Sequence, residues 1–293
     1  MIQEKKEEVM RLWLLGTGTP DPSLNRASSG YLIQIDDDYI IFDHGFGAYH
    51  RLLQLGVPIT KITHVFLSHY HFDHIGDLPR LLLTHWDQGA GKVDDLNIYG
   101  PQPLQQIIDG CISMDGLFGP DLVARTNAKS SLQVYASRGG DGTRAKPNPK
   151  LQQLEKGDIV SEENWTVKVT EGYHQQPYLT PLAFRLEHGG KSIVYSGDSG
   201  PKGGLEKFAQ SCDVLIHMCH YINGMMDKDE DVMGHIELAQ LANNANVKSL
   251  VLTHMNEALF DQPGIKEKVL QEMGEIYKGK IYYGEDLMEI PVI

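Results

Sequence analysis

Short apolar segments with the spacing of β-strands recur along the whole chain. Residues 31–35 and 39–42 flank the polar triplet Asp36-Asp37-Asp38, which predicts a β-hairpin. Residues 62–67 and 249–253 are mainly apolar, as expected for strands that are buried on both faces. Because segments with helical periodicity lie between many of the strands, the pattern predicts an α/β protein with mixed β-sheets.

The same pattern places the remaining elements. Further strands are predicted at 12–16, 96–99, 165–170, 192–195, 214–218, 280–283 and 288–293. Helices are predicted at 47–55, 77–83, 103–108, 203–210, 236–243 and 265–277. Residues 110–150 are rich in Gly, Pro and Ser and predict a variable insertion, either a lid or a contact between subunits. We expect a single domain over 1–293.

One strand end carries a dense group of side chains that can bind metals. After residues 62–67 the chain reads Ser68-His69-Tyr70-His71-Phe72-Asp73-His74. If residues 67–69 close the strand, His69 and His71 leave it on the same side, and a tight turn then brings the next pair to a neighbouring position. Imidazole nitrogens and carboxylate oxygens suit zinc, iron or manganese. The spacing therefore indicates two adjacent metal positions.

More candidate ligands lie far along the chain. His174, Asp198 and His254 each stand at or shortly after the C-terminal end of a predicted strand. Strand ends that meet at one edge of a sheet are where α/β proteins build their sites. We therefore expect these three side chains to join the histidine-rich motif.

These motifs, together with Leu15-Gly16-Thr17-Gly18-Thr19-Pro20 and Phe42-Asp43-His44-Gly45, resemble those of the metallo-β-lactamase superfamily. Within it, the chain is most similar to the ribonuclease Z-like branch, and the resemblance extends over nearly the whole length. It implies a four-layer αββα sandwich with a site for two divalent metal ions at one edge. Zinc is the expected metal, with manganese and iron as alternatives.

The resemblance also implies roles for the site residues. Asp198 would bridge two metals that are held by two sets of ligands: His69, His71 and His174 in the first set, and Asp73, His74 and His254 in the second. The catalytic residues would be Asp73 and His235, of which His235 would donate a proton from the start of a helix. Asp43 would orient the ligand loop without binding metal.

The expected reaction is hydrolysis of a small-molecule substrate. A hydroxide that bridges the metals would attack an ester, with a phosphodiester or a sulfate ester as the first choice. A second hypothesis is hydrolytic displacement on a lactone, an amide or an aryl halide, which an apolar pocket formed by Trp86, Met218, Met225 and Met226 would favour. A third is a ribonuclease Z-type RNA phosphodiesterase. Two further hypotheses lie outside hydrolysis: a binding or sensor protein with this fold, and an oxygen-reducing di-iron protein.

Three departures from ribonuclease Z argue against a nucleic acid partner. Met218 stands where those enzymes have a Glu that positions the proton donor, and a thioether cannot accept a strong hydrogen bond. Only 23 residues separate His174 from Asp198, too few for the tRNA-binding arm. The net charge of −13 disfavours binding to a polyanion. The basic cluster Arg138, Arg144, Lys146 and Lys150 is interpreted as a solvated loop.

The last features of the sequence concern the compartment and the assembly. The charged N-terminus lacks a secretory apolar region and no apolar run has the length of a membrane span, so we expect a cytoplasmic protein without membrane contact. Three widely spaced cysteines form no disulfide framework. The oligomeric state stays open, with a homodimer as one option.

Overall fold

The computed structural model describes residues 9–225 and 230–293. Two features of the sequence interpretation lie outside these ranges, namely the charged N-terminus and Met226.

The strands of the described residues form two seven-stranded sheets. The first sheet contains β1 (Met10–Gly16), β2 (Gly30–Ile35), β3 (Asp38–His44), β4 (Ile62–Phe66), β5 (Asn97–Gly100), β6 (Lys150–Gln153) and β14 (Glu289–Ile290). The second sheet contains β7 (Ile159–Ser161), β8 (Thr166–Glu171), β9 (Leu182–His188), β10 (Lys191–Tyr195), β11 (Val214–Met218), β12 (Ser249–Thr253) and β13 (Lys280–Tyr283).

Both sheets are mixed. The first has the order β14-β1-β2-β3-β4-β5-β6, and the second has the order β13-β12-β11-β10-β9-β8-β7. In the first sheet, three parallel pairings join β3 through β6. In the second sheet, three parallel pairings join β10 through β13. The antiparallel strands of each sheet precede them in the chain, except for β14. Parallel pairing brings the C-terminal ends of successive strands to one edge, where the candidate ligands lie.

Helices cover the outer face of each sheet. The helices of the described residues are α1 (Ala48–Gln54), α2 (Phe72–Ile75), α3 (Leu78–Gly89), α4 (Leu104–Ile112), α5 (Gly119–Asn127), α6 (Lys129–Ser137), α7 (His235–Asn244), α8 (Glu257–Phe260) and α9 (Ile265–Ile276). Apolar side chains of α1, α3 and α4 pack on the first sheet, and those of α7, α8 and α9 pack on the second.

A third apolar cluster fills the space between the two sheets. Its members include Phe42 and Phe66 of the first sheet and Phe184 and Tyr195 of the second, all of them essentially buried. Alternate residues of each strand point into this layer, as period-two patterning requires. The layers therefore run helix, sheet, sheet, helix, which confirms the predicted αββα sandwich.

Two predictions of secondary structure are wrong. Residues 203–210 form turns instead of a helix, because Gly204 adopts a left-handed φ of 60° directly after the 3₁₀ turn Pro201–Gly203. The strand before the histidine-rich motif ends at Phe66, so residues 67–69 are not part of it. His69 and His71 still meet, because side-chain contacts fix the loop that carries them.

The insertion at 110–150 contains α5 and α6 and is attached to α3 by a cluster of ion pairs around Asp87. Asp87 accepts hydrogen bonds from Arg125 at 3.0 Å, Arg144 at 2.6 Å and Arg138 at 2.5 Å. The Arg144 guanidinium also lies 4.0 Å from the ring centroid of Trp86. Arg144 is 4% exposed, so the prediction of a solvated basic loop is wrong for this residue. The role of the insertion as a lid or interface stays a prediction.

No described helix combines the length and the apolar character that crossing a lipid bilayer requires.

Candidate metal centre

The loop after β4 is held in place by the buried carboxylate of Asp43. Ser68 donates to it twice, from its backbone N–H at 2.7 Å and from its hydroxyl at 2.6 Å. The Tyr195 hydroxyl donates to the same carboxylate at 2.6 Å from the second sheet. Asp43 itself has a φ of 53°, a conformation that few residues except glycine adopt. These contacts position the start of the histidine-rich motif, and not the strand that the sequence predicted for residues 67–69.

A glycine allows the motif to approach the end of β3. A Cβ atom on Gly45 would lie 1.9 Å from the carbonyl oxygen of Asp73. Any larger residue would therefore push α2 away from β3. This close packing explains why a glycine stands in the segment Phe42-Asp43-His44-Gly45.

Three imidazoles converge beside this loop. His71 Nδ1 lies 3.1 Å from His69 Nε2 and 3.3 Å from His174 Nε2. His174 Nδ1 lies 3.1 Å from the backbone carbonyl of Asp231, which makes Nδ1 the protonated nitrogen and leaves a lone pair on Nε2. The Ser68 hydroxyl lies 2.9 Å from His69 Nδ1. The three convergent nitrogens can thus all act as ligands.

A second group forms next to the first. His74 Nδ1 lies 2.7 Å from Asp43 and its Nε2 lies 3.5 Å from Asp73, so Nε2 is the nitrogen that can bind a metal once the ring is neutral. His254 Nε2 lies 3.2 Å from the same Asp73 carboxylate. His254 has a φ of 53°, and such strain in a non-glycine residue concentrates at functional sites.

Asp198 connects the two groups. Its Oδ2 lies 3.1 Å from Nε2 of both His74 and His254, 3.8 Å from His69 Nε2 and 4.0 Å from His174 Nε2. Within each group, the ligand atoms all lie within 4.8 Å of one another. The structure therefore brings together all seven residues that the resemblance implied.

The chemistry of this cluster fits divalent metal ions. Two buried carboxylates and five imidazoles are the donor types that zinc, manganese and iron accept in proteins. Among the described residues, the buried Oδ1 of Asp73 has no hydrogen-bond partner. An unsatisfied buried acceptor is costly, and a cation or a water held by it would remove that cost.

The charges of the cluster are strongly coupled in the metal-free protein. Burial opposes ionisation of Asp198, but the neighbouring His254 and His74 outweigh it and hold the pKa of Asp198 well below its usual value. Burial likewise lowers the pKa of His254, but Asp198 and Asp73 overcome it and raise that pKa to about 9. The pKa of His74 is raised well above its usual value, because Asp198 and Asp43 outweigh the effect of burial.

Metal loading near neutral pH is expected to release protons. His254, with a pKa of about 9, and His74 are protonated at pH 7 without metal, and a metal binds only the neutral ring. Titration calorimetry in two buffers of different ionisation enthalpy measures the number released. We expect at least one proton per chain at pH 7 and tighter metal binding as the pH rises toward 9.

The stability of the metal-free protein should fall as the pH rises, whereas metal binding becomes tighter. Because the folded pKa of His254 is raised, its contribution is complete below the unfolded value of about 6.5 and is lost as the pH rises through about 9. Thermal unfolding of the metal-stripped protein across this range provides the check. Metal uptake without proton release at pH 7 would contradict both expectations.

The predicted proton donor lies in a different environment. His235 is the first residue of α7 and its side chain is fully buried. Its Nδ1 accepts a hydrogen bond from the Asn223 backbone N–H at 3.1 Å, and its Nε2 lies 2.7 Å from a Glu272 carboxylate oxygen. Neither metal-ligand group includes His235. Its role as proton donor stays a prediction, with both ring nitrogens already engaged.

Sequence reasoning missed Tyr195, which shapes the site, whereas His220 could be placed near the entrance because it follows a predicted strand end. Tyr195 ends β10 three positions before Asp198, and its hydroxyl binds Asp43 across the two sheets. A tyrosine among aliphatic residues of a buried strand was the available signal, because a buried hydroxyl needs a partner. His220 follows β11, and its ring centroid lies 5.8 Å from that of His254.

Comparison with known proteins assigns the family. Residues 25–254 match the family model described as the metallo-beta-lactamase superfamily. The chain belongs to this superfamily. The match covers every one of the seven clustered residues, and membership makes the chain a metal-dependent hydrolase, as the sequence predicted.

Individual relatives of this superfamily member agree with that assignment. The chain is 27% identical over 296 residues to a ribonuclease Z of Mycobacterium bovis (strain BCG / Pasteur 1173P2), covering 97% of this chain and 99% of the relative. The metallo-beta-lactamase fold protein YhfI of Bacillus subtilis has a similar structure, with a TM-score of 0.73, 21% identity and coverage of 97% and 100%. The human short-form tRNase Z gives a TM-score of 0.66, 21% identity and coverage of 97% and 99%.

Proposed function

We propose that the chain hydrolyses a phosphodiester bond at two divalent metals held by the seven clustered residues. The observation that carries this proposal is the position of Asp198, whose Oδ2 faces imidazoles of both ligand groups at 3.1–4.0 Å. A single carboxylate between two complete donor sets is the arrangement that a two-metal site needs. Zinc is our first choice of metal, and the imidazole nitrogens and carboxylate oxygens of the seven donors suit manganese and iron as well.

When bound, such a metal pair activates water as a nucleophile and offsets the charge of the phosphate oxygens. The residues of the chain then supply orientation. Asp43 fixes the ring of His74 and holds the loop through Ser68, so the ligand atoms are in place before substrate arrives. Asp73 can accept a hydrogen bond from the attacking water through Oδ1, since the described residues leave that atom unpartnered.

RNA is the first substrate class to test. The support is the likeness of 97% of the chain to relatives named ribonuclease Z, which favours the RNA hypothesis over the small-molecule substrate that the sequence suggested first. The names of these relatives offer no comparable support for a sulfate ester.

A small phosphodiester remains a second candidate because of two observations. β8 ends at Glu171 and β9 begins at Leu182, so only a short loop joins these strands, in line with the absence of a tRNA-binding arm that the sequence predicted. The net charge of −13 also opposes binding of a long polyanion.

Two substrates separate these candidates. Protein with a measured metal content is assayed with bis-p-nitrophenyl phosphate and with a tRNA transcript. Cleavage of both supports an RNA phosphodiesterase, and cleavage of the small diester alone supports the second candidate. If protein carrying two metals per chain cleaves neither substrate, the proposed function is wrong.

His71→Ala is expected to abolish metal binding in the first ligand group and to lower turnover at least about a hundred-fold. The physical reason is that His71 Nδ1 lies between the imidazoles of His69 and His174, at 3.1 and 3.3 Å. Metal analysis and steady-state assays check this result. His50→Ala, at an exposed histidine of α1, is the matched control and should keep both metals and full activity. Full activity of His71→Ala would contradict the assignment.

A further inference from the structure

His220 is a histidine beside the metal centre that belongs to neither ligand group. Its ring centroid lies 5.8 Å from that of His254, and the planes are inclined by 35°. The side chain is partly buried, and the described residues give its buried Nδ1 no hydrogen-bond partner. A buried N–H without an acceptor is costly, so Nδ1 is the unprotonated nitrogen and the ring N–H of this half-buried side chain lies on Nε2.

The backbone around His220 is fixed from two sides. The Cys219 N–H donates to the Thr253 carbonyl at 2.8 Å, which ties the end of β11 to the residue before His254. The His220 N–H donates to the Met233 carbonyl at 2.8 Å. A side chain on a backbone held at both sides has a defined position, which is what a group that contacts a reacting substrate needs.

The residue expected to assist the leaving group is engaged elsewhere. Both nitrogens of His235 have partners, Asn223 and Glu272. Met218, at the position where the resemblance implied a Glu, is 1% exposed and offers no acceptor that could draw His235 toward the metals. Among the described residues, His220 is thus a half-buried imidazole beside the ligand cluster whose Nδ1 has no hydrogen-bond partner, whereas both ring nitrogens of His235 are engaged.

We propose that His220 contacts the leaving group of the substrate and donates a hydrogen bond from its ring N–H to the departing oxygen. This inference rests on the proposed phosphodiester hydrolysis. A neutral imidazole carries one N–H, so the contact requires no change in its charge. His220 would thereby act as a catalytic residue for substrates with poor leaving groups.

The step balances as an ordinary hydrolysis. The oxygen of water forms a bond to phosphorus, and the bond between phosphorus and the leaving oxygen breaks with its electron pair on that oxygen. The His220 N–H stabilises the charge that develops there. The leaving oxygen then takes a proton from water, so one diester and one water give a monoester and an alcohol or phenol.

Two matched substrates test this contact. Methyl phenyl phosphate and methyl p-nitrophenyl phosphate have the same charge and similar shape, but phenolate is the poorer leaving group. We expect His220→Ala to slow the phenyl ester by about 10²–10³-fold, the usual effect of losing a donor to a developing anion, and the nitrophenyl ester less than about tenfold. His220→Gln keeps an N–H donor and should recover at least about tenfold on the phenyl ester.

Two further readouts distinguish this role from a structural one. Metal content should stay at that of the unmodified protein in both variants. Vanadate can place an oxygen where the leaving group lies, so calorimetry should show its affinity falling about tenfold or more in His220→Ala and recovering in His220→Gln. Inorganic phosphate should bind both variants about as tightly as the unmodified protein.

Each contrary outcome has a distinct meaning. Equal losses on both esters with metals retained, or no loss on either, would overturn the assignment of His220. A selective loss on the phenyl ester in His235→Ala, with His220→Ala unaffected, would assign leaving-group assistance to His235 instead. If the unmodified, metal-loaded protein hydrolyses neither ester, the proposed function fails and the inference fails with it.

Discussion

Replacing Asp198 with alanine is expected to remove both metals and to lower turnover at least about a thousand-fold. The reason is the shared position of this carboxylate, whose Oδ2 faces Nε2 of His74 and His254 at 3.1 Å and also faces the first ligand group. Without it, each set loses its common anionic ligand, and the imidazoles are left to repel one another when protonated. Metal analysis of purified protein and assay with the best available phosphodiester give the two readouts.

A control is needed because the variant removes a buried charge. Asp94→Ala changes an exposed aspartate shortly before β5 and should keep both metals and the activity. Thermal unfolding without metal shows whether the Asp198 variant still folds. Retention of two metals per chain in a folded Asp198→Ala protein would disprove the bridging role.

The second large effect is expected for Asp43→Asn. Asp43 accepts hydrogen bonds from Ser68 and Tyr195 and holds the Nδ1 of His74, all within 2.6–2.7 Å in a fully buried setting. Asparagine tolerates the left-handed backbone at this position, so the substitution tests the carboxylate and not the φ angle. We expect a loss of about 3 kcal/mol in the free energy of unfolding and metal binding weaker by about 10–100-fold.

Denaturant unfolding and metal titration measure these two quantities. Tyr195→Phe is the graded comparison, because it removes a single hydrogen bond to the Asp43 carboxylate and should cost about 1 kcal/mol with both metals retained. An Asp43→Asn protein with unchanged metal affinity would show that the carboxylate does not orient His74.

The location of the metal site followed from local sequence patterns. His69, His71, Asp73 and His74 are neighbours in the chain, so their clustering needed only a turn after a strand. Asp198 and His254 joined them because strand ends of parallel pairs share one edge of a sheet, a rule that holds before any coordinates are known. His174 follows β8, whose pairings are antiparallel, so this rule does not account for its position. For the same reason, the layered αββα architecture was predictable from alternating strands and helices together with the family resemblance.

The local errors have physical causes that short-range patterns do not contain. Residues 203–210 have helical periodicity, but one glycine in a left-handed conformation redirects the chain. The residues around Arg144 have the composition of a solvated loop, yet the Arg144 side chain is buried because it contacts Asp87 and Trp86 of α3. Both outcomes depend on partners distant in sequence or on a single backbone angle.

What the sequence by itself determined is the family, the class of hydrolase and a compact set of candidate ligands, because these depend on residue type and spacing at strand ends. Only the tertiary structure decided which side chains support that set. Tyr195 reaches Asp43 from the opposite sheet, His235 pairs with Glu272 of α9, and His220 stands beside His254 with an unpartnered Nδ1. Each of these contacts joins residues far apart in the chain, so their pairing is set by how sheets and helices pack and not by spacing along the sequence.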